Sequence, residues 1–201
     1  MKIKQKITKR LFDFTCALLG IIFLWWLLLV LVLIATIDTK KIGVFTQKRI
    51  GYLGKNFLIF KIRTMKENTA ILNHVTTTND SRLTTFGKLL RMHKLDELPQ
   101  LLNVLFGQMS FVGPRPDVSG FADKLTGEDR IILTVKPGIT GPASLKFKKE
   151  EELLALQDNP AEYNRKVIWP QKVILNKEYV ENYTLKEDIV ILIKTLFNVS
   201  K

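Results

Sequence analysis

The chain has 201 residues, the size of one domain with an appendage or of two small domains. Its formal net charge of +12 predicts an anionic partner: nucleic acid, lipid headgroups or a phosphorylated substrate. Five of the cations lie in the first ten residues, so the rest of the chain is only moderately basic, which disfavours nucleic acid. The single cysteine, Cys16, excludes a disulfide framework.

A continuous apolar segment follows the basic N-terminus. Residues 14–37 contain no charged side chain, and these 24 residues are enough for a helix to cross a bilayer. Because every face of such a helix is apolar, we predict a membrane segment and not a buried helix of a soluble protein. The basic N-terminus favours a cytoplasmic location for this end of the chain.

The charges on both sides of the segment leave two topologies open. Residues 40–49 make the far flank basic too, whereas a spanning helix normally has one basic flank. A segment that enters the cytoplasmic leaflet and returns fits two basic flanks, with its cations on anionic lipid headgroups. The absence of a proline favours a spanning helix. We expect a re-entrant segment within residues 1–40 and a cytoplasmic catalytic domain over residues 41–201, with a spanning helix as the alternative.

The next segment predicts a β-hairpin. Two short strands are expected between residues 44 and 65, around a turn at residues 51–54. Alternation along the second strand places Lys61 and Arg63 on the same face. Both cations could simply be solvated on an edge strand, or they could face an anionic ligand. Residues 67–82 are polar and are expected to form a loop.

A pair of adjacent acids follows. We expect a helix over residues 84–94, and Pro99 requires that a new helix begins just before it. Asp96 fits the N-cap of that new helix, with Glu97 in its first turn. A helix N-terminus also attracts phosphate, and a carboxylate near Arg91 would have a lowered pKa and could attack phosphorus. A structural cap and a catalytic nucleophile therefore remain alternatives.

Two stiff turns come after the acid pair. In the first, two prolines flank Arg115, which limits the entropy that this arginine loses on binding a phosphate. The second turn, residues 136–142, contains glycines that allow the backbone to come close to a ligand. Residues 150–201 predict amphipathic helices, interrupted at Trp169-Pro170, that either close the core or lie on a membrane surface.

Three segments resemble the bacterial sugar transferases that start glycoconjugate assembly on polyprenyl phosphate. They are KIRTM at residues 61–65, KLDELPQLLNVLFGQMSFVGPRP at residues 94–116 and VKPGITG at residues 135–141. Over nearly its whole length, the chain resembles in particular the small monotopic phosphoglycosyl transferases. The resemblance implies a mainly helical α+β protein. Its N-terminal helix would be embedded in the membrane, and its compact catalytic domain would contain a short β-hairpin and amphipathic surface helices.

The resemblance also implies an activity. Such enzymes transfer a sugar 1-phosphate from a UDP-sugar to polyprenyl phosphate and release UMP, in two steps and with Mg²⁺, at the cytoplasmic face of the bacterial inner membrane. By this resemblance Asp96 would form a covalent aspartyl-phosphosugar, and Glu97 would hold Mg²⁺ or handle protons. The cations expected at the phosphates are Lys61, Arg91 and Arg115. The expected contacts to nucleotide or sugar are Arg63, Lys136, Gly138 and Thr140.

The chain departs from the family pattern at two places. Trp25-Trp26 stands where relatives often have a Ser-Pro pair that breaks the membrane helix. After residue 141, many relatives have a tryptophan-rich or Asn-Gly-Arg segment, whereas this chain has residues 142–149 and then three consecutive acids, Glu150–Glu152.

Two rival functions are kept beside the enzyme. One is a non-catalytic, membrane-anchored basic scaffold that binds anionic lipid or an acidic partner. The other is a membrane-tethered nucleic-acid binder, which the lack of basic patches interleaved with aromatic residues disfavours. We therefore expect no nucleic acid as a partner. The oligomeric state is open, with a homodimer as one option.

Overall fold

The fold is mainly helical with a short β-hairpin, as predicted, and it contains a second small pair of strands. A computed structural model describes residues 1–66 and 81–197. The helices in these ranges are α1 (Ile3–Thr39), α2 (Thr85–Met92), α3 (Gln100–Leu105), α4 (Pro142–Lys146), α5 (Glu150–Ala155), α6 (Pro160–Tyr163), α7 (Trp169–Glu181) and α8 (Leu185–Leu196). The strands are β1 (Val44–Ile50), β2 (Asn56–Ile62), β3 (Ser110–Val112) and β4 (Gly138–Thr140). All but the last two residues of the loop predicted over 67–82 lie outside the described residues.

Among the described helices, α1 alone is long and apolar enough to cross a membrane. It has 37 residues, or about 55 Å at 1.5 Å per residue. Only 11% of its most apolar 18-residue stretch is buried within the protein. The helix continues through Trp25-Trp26 without a break, so the departure from the family pattern at this position does not introduce a loop.

A buried ionic cluster attaches the N-terminal end of α1 to the last two helices. Lys9 Nζ lies 2.5 Å from Asp188 Oδ2, and these residues are only 6% and 1% exposed. The Tyr179 and Tyr183 hydroxyls donate to the same carboxylate at 2.6 and 3.2 Å. Burial, together with the charge of Asp188, raises the pKa of both phenols, so they remain protonated donors.

The same end of α1 also holds the segment that carries the acid pair. Arg10 donates to the carbonyl oxygens of Val104 and Leu105 at 2.6 and 2.8 Å, where α3 ends and its carbonyl groups lack helical partners. Asp13, which is 2% exposed, accepts hydrogen bonds from Ser110 Oγ and from the following backbone N–H, each at 3.1 Å. Helix α1 therefore fixes both α3 and β3.

The C-terminal half of α1 packs on the body as well. Leu31 and Ala35 are buried against Ile62 of β2 and Leu90 of α2. The chain then turns back against the helix at Gly43, where a Cβ atom would lie 2.1 Å from a carbonyl oxygen of α1. Contacts with the body thus extend along the length of α1.

The predicted hairpin is confirmed. β1 and β2 pair antiparallel, with Val44 opposite Ile62 and Ile50 opposite Asn56. A short 3₁₀ turn at Tyr52–Gly54 joins them, at the position expected from the glycines. The hairpin places Lys61 on the side of the acid pair.

A parallel pair of strands, β3 and β4, was not predicted. Ser110 lies opposite Gly138, and Val112 opposite Thr140. The two chains approach so closely that a Cβ atom on Gly138 would lie 2.2 Å from the nitrogen of Gly113. This pairing brings the two stiff turns of the sequence side by side.

The predicted interruption at Trp169-Pro170 is wrong. Residues 160–181 are helical without a gap, through α6, a π-helical turn at Asn164–Ile168 and α7. Pro170 is the second residue of α7, which directly follows the π-helical turn, so the local change in helical hydrogen bonding coincides with the proline that lacks an N–H. Helix α8 buries Ile191 but leaves the apolar Leu196 exposed, so the role predicted for the C-terminal helices, closing the core or lying on a membrane surface, stays a prediction.

We expect the replacement Asp188→Asn to destabilise the protein by about 3–5 kcal/mol, because it leaves the buried Lys9 ammonium without its counter-charge. The measurement is thermal unfolding in detergent micelles. Glu187→Gln is the matched control, since it removes the same charge one residue earlier on α8. Equal melting temperatures for Asp188→Asn and the wild type would contradict this role of the cluster.

Candidate active site

A capped helix positions the cations that precede the acid pair. The Thr84 hydroxyl accepts a hydrogen bond from the Gly87 N–H at 2.8 Å and so begins α2. Arg91, in the last turn of α2, donates from Nε to Thr64 Oγ1 at 3.1 Å. Lys94 then adopts a left-handed conformation with a φ of 55°, which redirects the chain.

The acid pair lies in a 3₁₀ turn and not at a helix start. The turn comprises Leu95–Glu97, whereas α3 begins at Gln100 with Pro99 before it. The prediction that Asp96 is the N-cap of this helix is therefore wrong, because the turn and Pro99 delay its start. The carboxylate of Asp96 is consequently not used as a cap.

Glu97 is the acid that pairs directly with the cations. Lys61 Nζ lies 3.0 Å from Glu97 Oε1, Arg115 Nη1 donates to Oε2 at 3.3 Å, and Arg115 Nη2 donates to Oε1. The Glu97 side chain is 11% exposed. Burial opposes its ionisation, but the charges and hydrogen bonds of Arg115 and Lys61 outweigh burial and hold the pKa of Glu97 well below its ordinary value.

Asp96 lies beside these ion pairs and is 7% exposed. Burial raises its pKa, Glu97 raises it further, and the charges of Lys61, Arg91 and Arg115 lower it; the net shift is upward. The lowered pKa expected from the sequence is therefore wrong, because burial outweighs the cations. Two of these cations are also bonded to Glu97, which shares their charge.

The paired strands β3 and β4 position Arg115. This residue comes shortly after β3, and its Nη1 lies 3.4 Å from the carbonyl oxygen of Ile139. The Gly113 N–H donates to the Thr140 carbonyl at 2.9 Å, and the Gly138 N–H donates to the Pro114 carbonyl at 2.9 Å. These bonds fix the two residues that directly precede the arginine.

Gly138 and Thr140 were predicted to contact nucleotide or sugar, and both have structural contacts here. The backbone of Gly138 packs on β3, and Thr140 Oγ1 lies 2.8 Å from Thr195 Oγ1 of α8. Both residues hold the turn beside Arg115, and their predicted role toward a ligand stays a prediction.

The other two residues predicted to contact nucleotide or sugar, Arg63 and Lys136, contact other parts of the protein. Arg63 donates from Nε to a backbone carbonyl at 2.9 Å, and its guanidinium lies 5.5 Å from the centre of the Phe45 ring. Lys136 lies beside Gly107 and Arg10, and burial and the charge of Arg10 lower its pKa. The contact of Arg63 and Lys136 with nucleotide or sugar stays a prediction.

The sequence did not indicate a second group of charges near Arg115. Lys172 Nζ contacts both oxygens of Glu150 at 2.6 and 2.7 Å. Burial raises the pKa of Asp117 to about 6, against the opposing charges of Lys172, Arg49 and Arg115. These residues come from separate parts of the chain, so their spacing could not reveal that they meet.

Helix α5 lies near Arg91 of α2, at one side of the site. Glu151 Oε1 is 3.7 Å from Arg91 Nη1, and Leu154 anchors the helix with an exposure of 3%. The acidic segment that departs from the family pattern therefore contacts one of the predicted phosphate-binding cations.

A magnesium ion fits the acid pair only together with a ligand. Over residues 1–66 and 81–197, no three His, Cys, Asp or Glu side chains group as a metal site. Mg²⁺ commonly takes one or two protein carboxylates and completes its shell with substrate phosphates and water. Glu97, the predicted Mg²⁺ ligand, supplies one carboxylate, which Lys61 and Arg115 already engage. This donor set fits Mg²⁺ bound jointly with a diphosphate.

Comparisons with known proteins place the chain among enzymes. The exopolysaccharide production protein ExoY of Sinorhizobium fredii is 34% identical over 207 residues, which cover 94% of this chain and 84% of the relative. The undecaprenyl-phosphate galactose phosphotransferase of Salmonella typhimurium is 32% identical over 210 residues, or 96% and 40% of the two chains.

A further relative is the UDP-glucose:undecaprenyl-phosphate glucose-1-phosphate transferase of Xanthomonas campestris pv. campestris, 33% identical over 199 residues. The match covers 96% of this chain and 39% of the relative. The profile of the bacterial sugar transferase family matches residues 4–201. The chain therefore belongs to the bacterial sugar transferase family and is a transferase.

Proposed function

We propose that the enzyme transfers a sugar 1-phosphate from a UDP-sugar to polyprenyl phosphate, with Asp96 as the covalent nucleophile. The observation that carries this proposal is the buried Asp96 carboxylate, which lies in the combined field of Lys61, Arg91 and Arg115. The names of the Salmonella and Xanthomonas relatives, which specify phosphosugar transfer to undecaprenyl phosphate, support the choice of substrates.

In the first step, an Asp96 oxygen attacks the phosphorus that carries the sugar. The bond from this phosphorus to the oxygen shared with UMP breaks, and UMP leaves with the bonding electron pair. A carboxylate and a diphosphate repel each other, so the site must neutralise charge before they can approach. Arg91 and Arg115 are arginines whose planar forks suit phosphate oxygens.

In the second step, a phosphate oxygen of the lipid attacks the phosphorus of the aspartyl-phosphosugar. The Asp96 carboxylate leaves, and the product is a polyprenyl-diphosphate sugar. Glu97 keeps Lys61 and Arg115 oriented through its hydrogen bonds and is the residue that would hold Mg²⁺. When bound, Mg²⁺ would neutralise additional phosphate charge as a Lewis acid.

Helix α1 is proposed to lie on one side of the membrane. Lys9 and Ala35 both contact the same body, and about 39 Å of helix separates them. A straight helix through a hydrocarbon core about 30 Å thick would put these contacts on opposite faces. The proposed arrangement is therefore monotopic, with the exposed apolar side chains in lipid, the flanking cations on anionic headgroups, and the body at the cytoplasmic face of the bacterial inner membrane.

Asp96→Asn should reduce UMP release by at least about 10⁴-fold, because an amide cannot form the intermediate. The assay contains UDP-sugars, polyprenyl phosphate and Mg²⁺, and Asp158→Asn at an exposed site is the control. Mass spectrometry without lipid acceptor should detect a phosphosugar adduct on the wild type alone. Wild-type turnover by Asp96→Asn would instead favour a role for Asp96 that is not nucleophilic.

The pH dependence of kcat/KM should reflect the raised pKa of Asp96. Only the ionised carboxylate attacks, so activity should fall as the pH drops through this pKa, at a higher pH than an ordinary aspartate of pKa about 3.9 would give. Lys61→Met removes a charge that lowers the pKa and should move the acidic limb to higher pH. Lys55→Met in the hairpin turn is the control, and a limb unmoved by Lys61→Met would count against this assignment.

The monotopic arrangement can be tested by labelling single cysteines in a Cys16→Ala background. Lys4→Cys and Lys55→Cys are both exposed and lie on opposite sides of the apolar segment. We expect a membrane-impermeant maleimide to label both from the cytoplasmic side alone. Labelling of the two positions from opposite sides would establish a spanning helix.

A further inference from the structure

We propose that Glu151 is a displaceable counter-ion of Arg91, which occupies this arginine in the free enzyme and gives way to a substrate phosphate. This inference deepens the proposed function and rests on it, because it takes Arg91 as a phosphate ligand. It assigns a positioning role to the acidic segment at the start of α5.

The three consecutive acids of α5 have three different partners. Glu150 is bound by Lys172 of α7 through both oxygens, at 2.6 and 2.7 Å. Glu152 lies 3.4 Å from Lys149, which precedes it by three residues. Of the three, Glu151 is the one that meets Arg91 of α2. Glu150 and Glu152 are thus natural controls for a substitution of Glu151.

The contact between Glu151 and Arg91 is loose. Its 3.7 Å separation is longer than a charge-assisted hydrogen bond, and the two side chains are 49% and 27% exposed. An ion pair of this kind contributes little and is easily exchanged. By contrast, Lys61 and Arg115 are hydrogen-bonded to Glu97, whose side chain is 11% exposed. Arg91 is therefore the phosphate-site cation whose carboxylate partner is most readily replaced.

Within residues 1–66 and 81–197, the other contacts of Arg91 leave the Glu151 side of its guanidinium for an incoming anion. Nε is held by Thr64 Oγ1 at 3.1 Å, and Nη2 lies 3.9 Å from Met65 Sδ. Nη1 faces Glu151. A diphosphate carries more negative charge than one carboxylate and matches the arginine fork, so it displaces Glu151. Breaking the Glu151–Arg91 ion pair costs free energy, and this cost weakens the binding of both UDP-sugar and UMP. Weaker binding of UMP also favours its release as the product.

The experiment compares Glu151→Gln with Glu152→Gln in the full-length enzyme. Both variants remove one negative charge from the same turn, but only the first removes the partner of Arg91. For Glu151→Gln we expect the KM for UDP-sugar and the Kd of UMP, measured by calorimetry, to fall about two- to fivefold, the range expected for an exposed ion pair. Glu152→Gln should leave both constants unchanged, and kcat should change less than twofold in either variant.

A double-mutant cycle locates the effect at Arg91. In an Arg91→Met background, Glu151→Gln should no longer tighten UMP binding, because the cation for which it competes is absent. An unchanged or weaker affinity for UMP in Glu151→Gln overturns the inference, as does an equal gain in Glu152→Gln. UMP affinity needs no turnover, so these results are distinct from a failure of the proposed function, which would appear as wild-type enzyme that releases no UMP from any UDP-sugar.

Discussion

The arrangement of the site depends on the ion triad that Glu97 forms with Lys61 and Arg115. The three residues come from the turn after α2, from β2 and from the segment after β3, so one carboxylate joins three separate parts of the fold. The Glu97 and Lys61 side chains are only 11% and 18% exposed, so removing Glu97 leaves the Lys61 ammonium uncompensated, whereas Arg115 is 42% exposed and partly screened by solvent. The triad thereby holds two cations beside Asp96 without hydrogen-bonding Asp96 itself.

The pKa values of the neighbouring acids Asp96 and Glu97 are therefore shifted in opposite directions. Glu97 is bonded to both cations and has a lowered pKa, whereas Asp96 feels the same cations only through space and has a raised pKa. A carboxylate with hydrogen-bonded oxygens is a poor nucleophile, because its lone pairs are engaged. The contacts thus favour Asp96 for attack on phosphorus and Glu97 for orienting the cations, a division that their adjacent positions in the sequence do not reveal.

The sequence predicted the elements that depend on local patterns. The hairpin follows from alternation and from glycines in its turn, and α2 begins where Thr84 can cap it. Errors arose where distant contacts decide the outcome. Burial set the direction of the Asp96 pKa, and burial depends on residues far along the chain. Likewise, β3 and β4 have only three residues each, so no periodicity marks them.

Helix α1 combines an exposed apolar surface with direct contacts to the elements that position the acid-pair site. Arg10 binds the end of α3 and Asp13 binds the start of β3, so the helix with the exposed apolar surface supports the two elements that follow the acid pair and lead to Arg115. The proposed reaction requires a lipid phosphate to meet Asp96 while its hydrocarbon chain stays in the bilayer. If α1 lies along one face of the membrane, the body that it holds lies at the level of the headgroups. In the proposed monotopic arrangement, the same packing would give a lipid phosphate access to the proposed nucleophile.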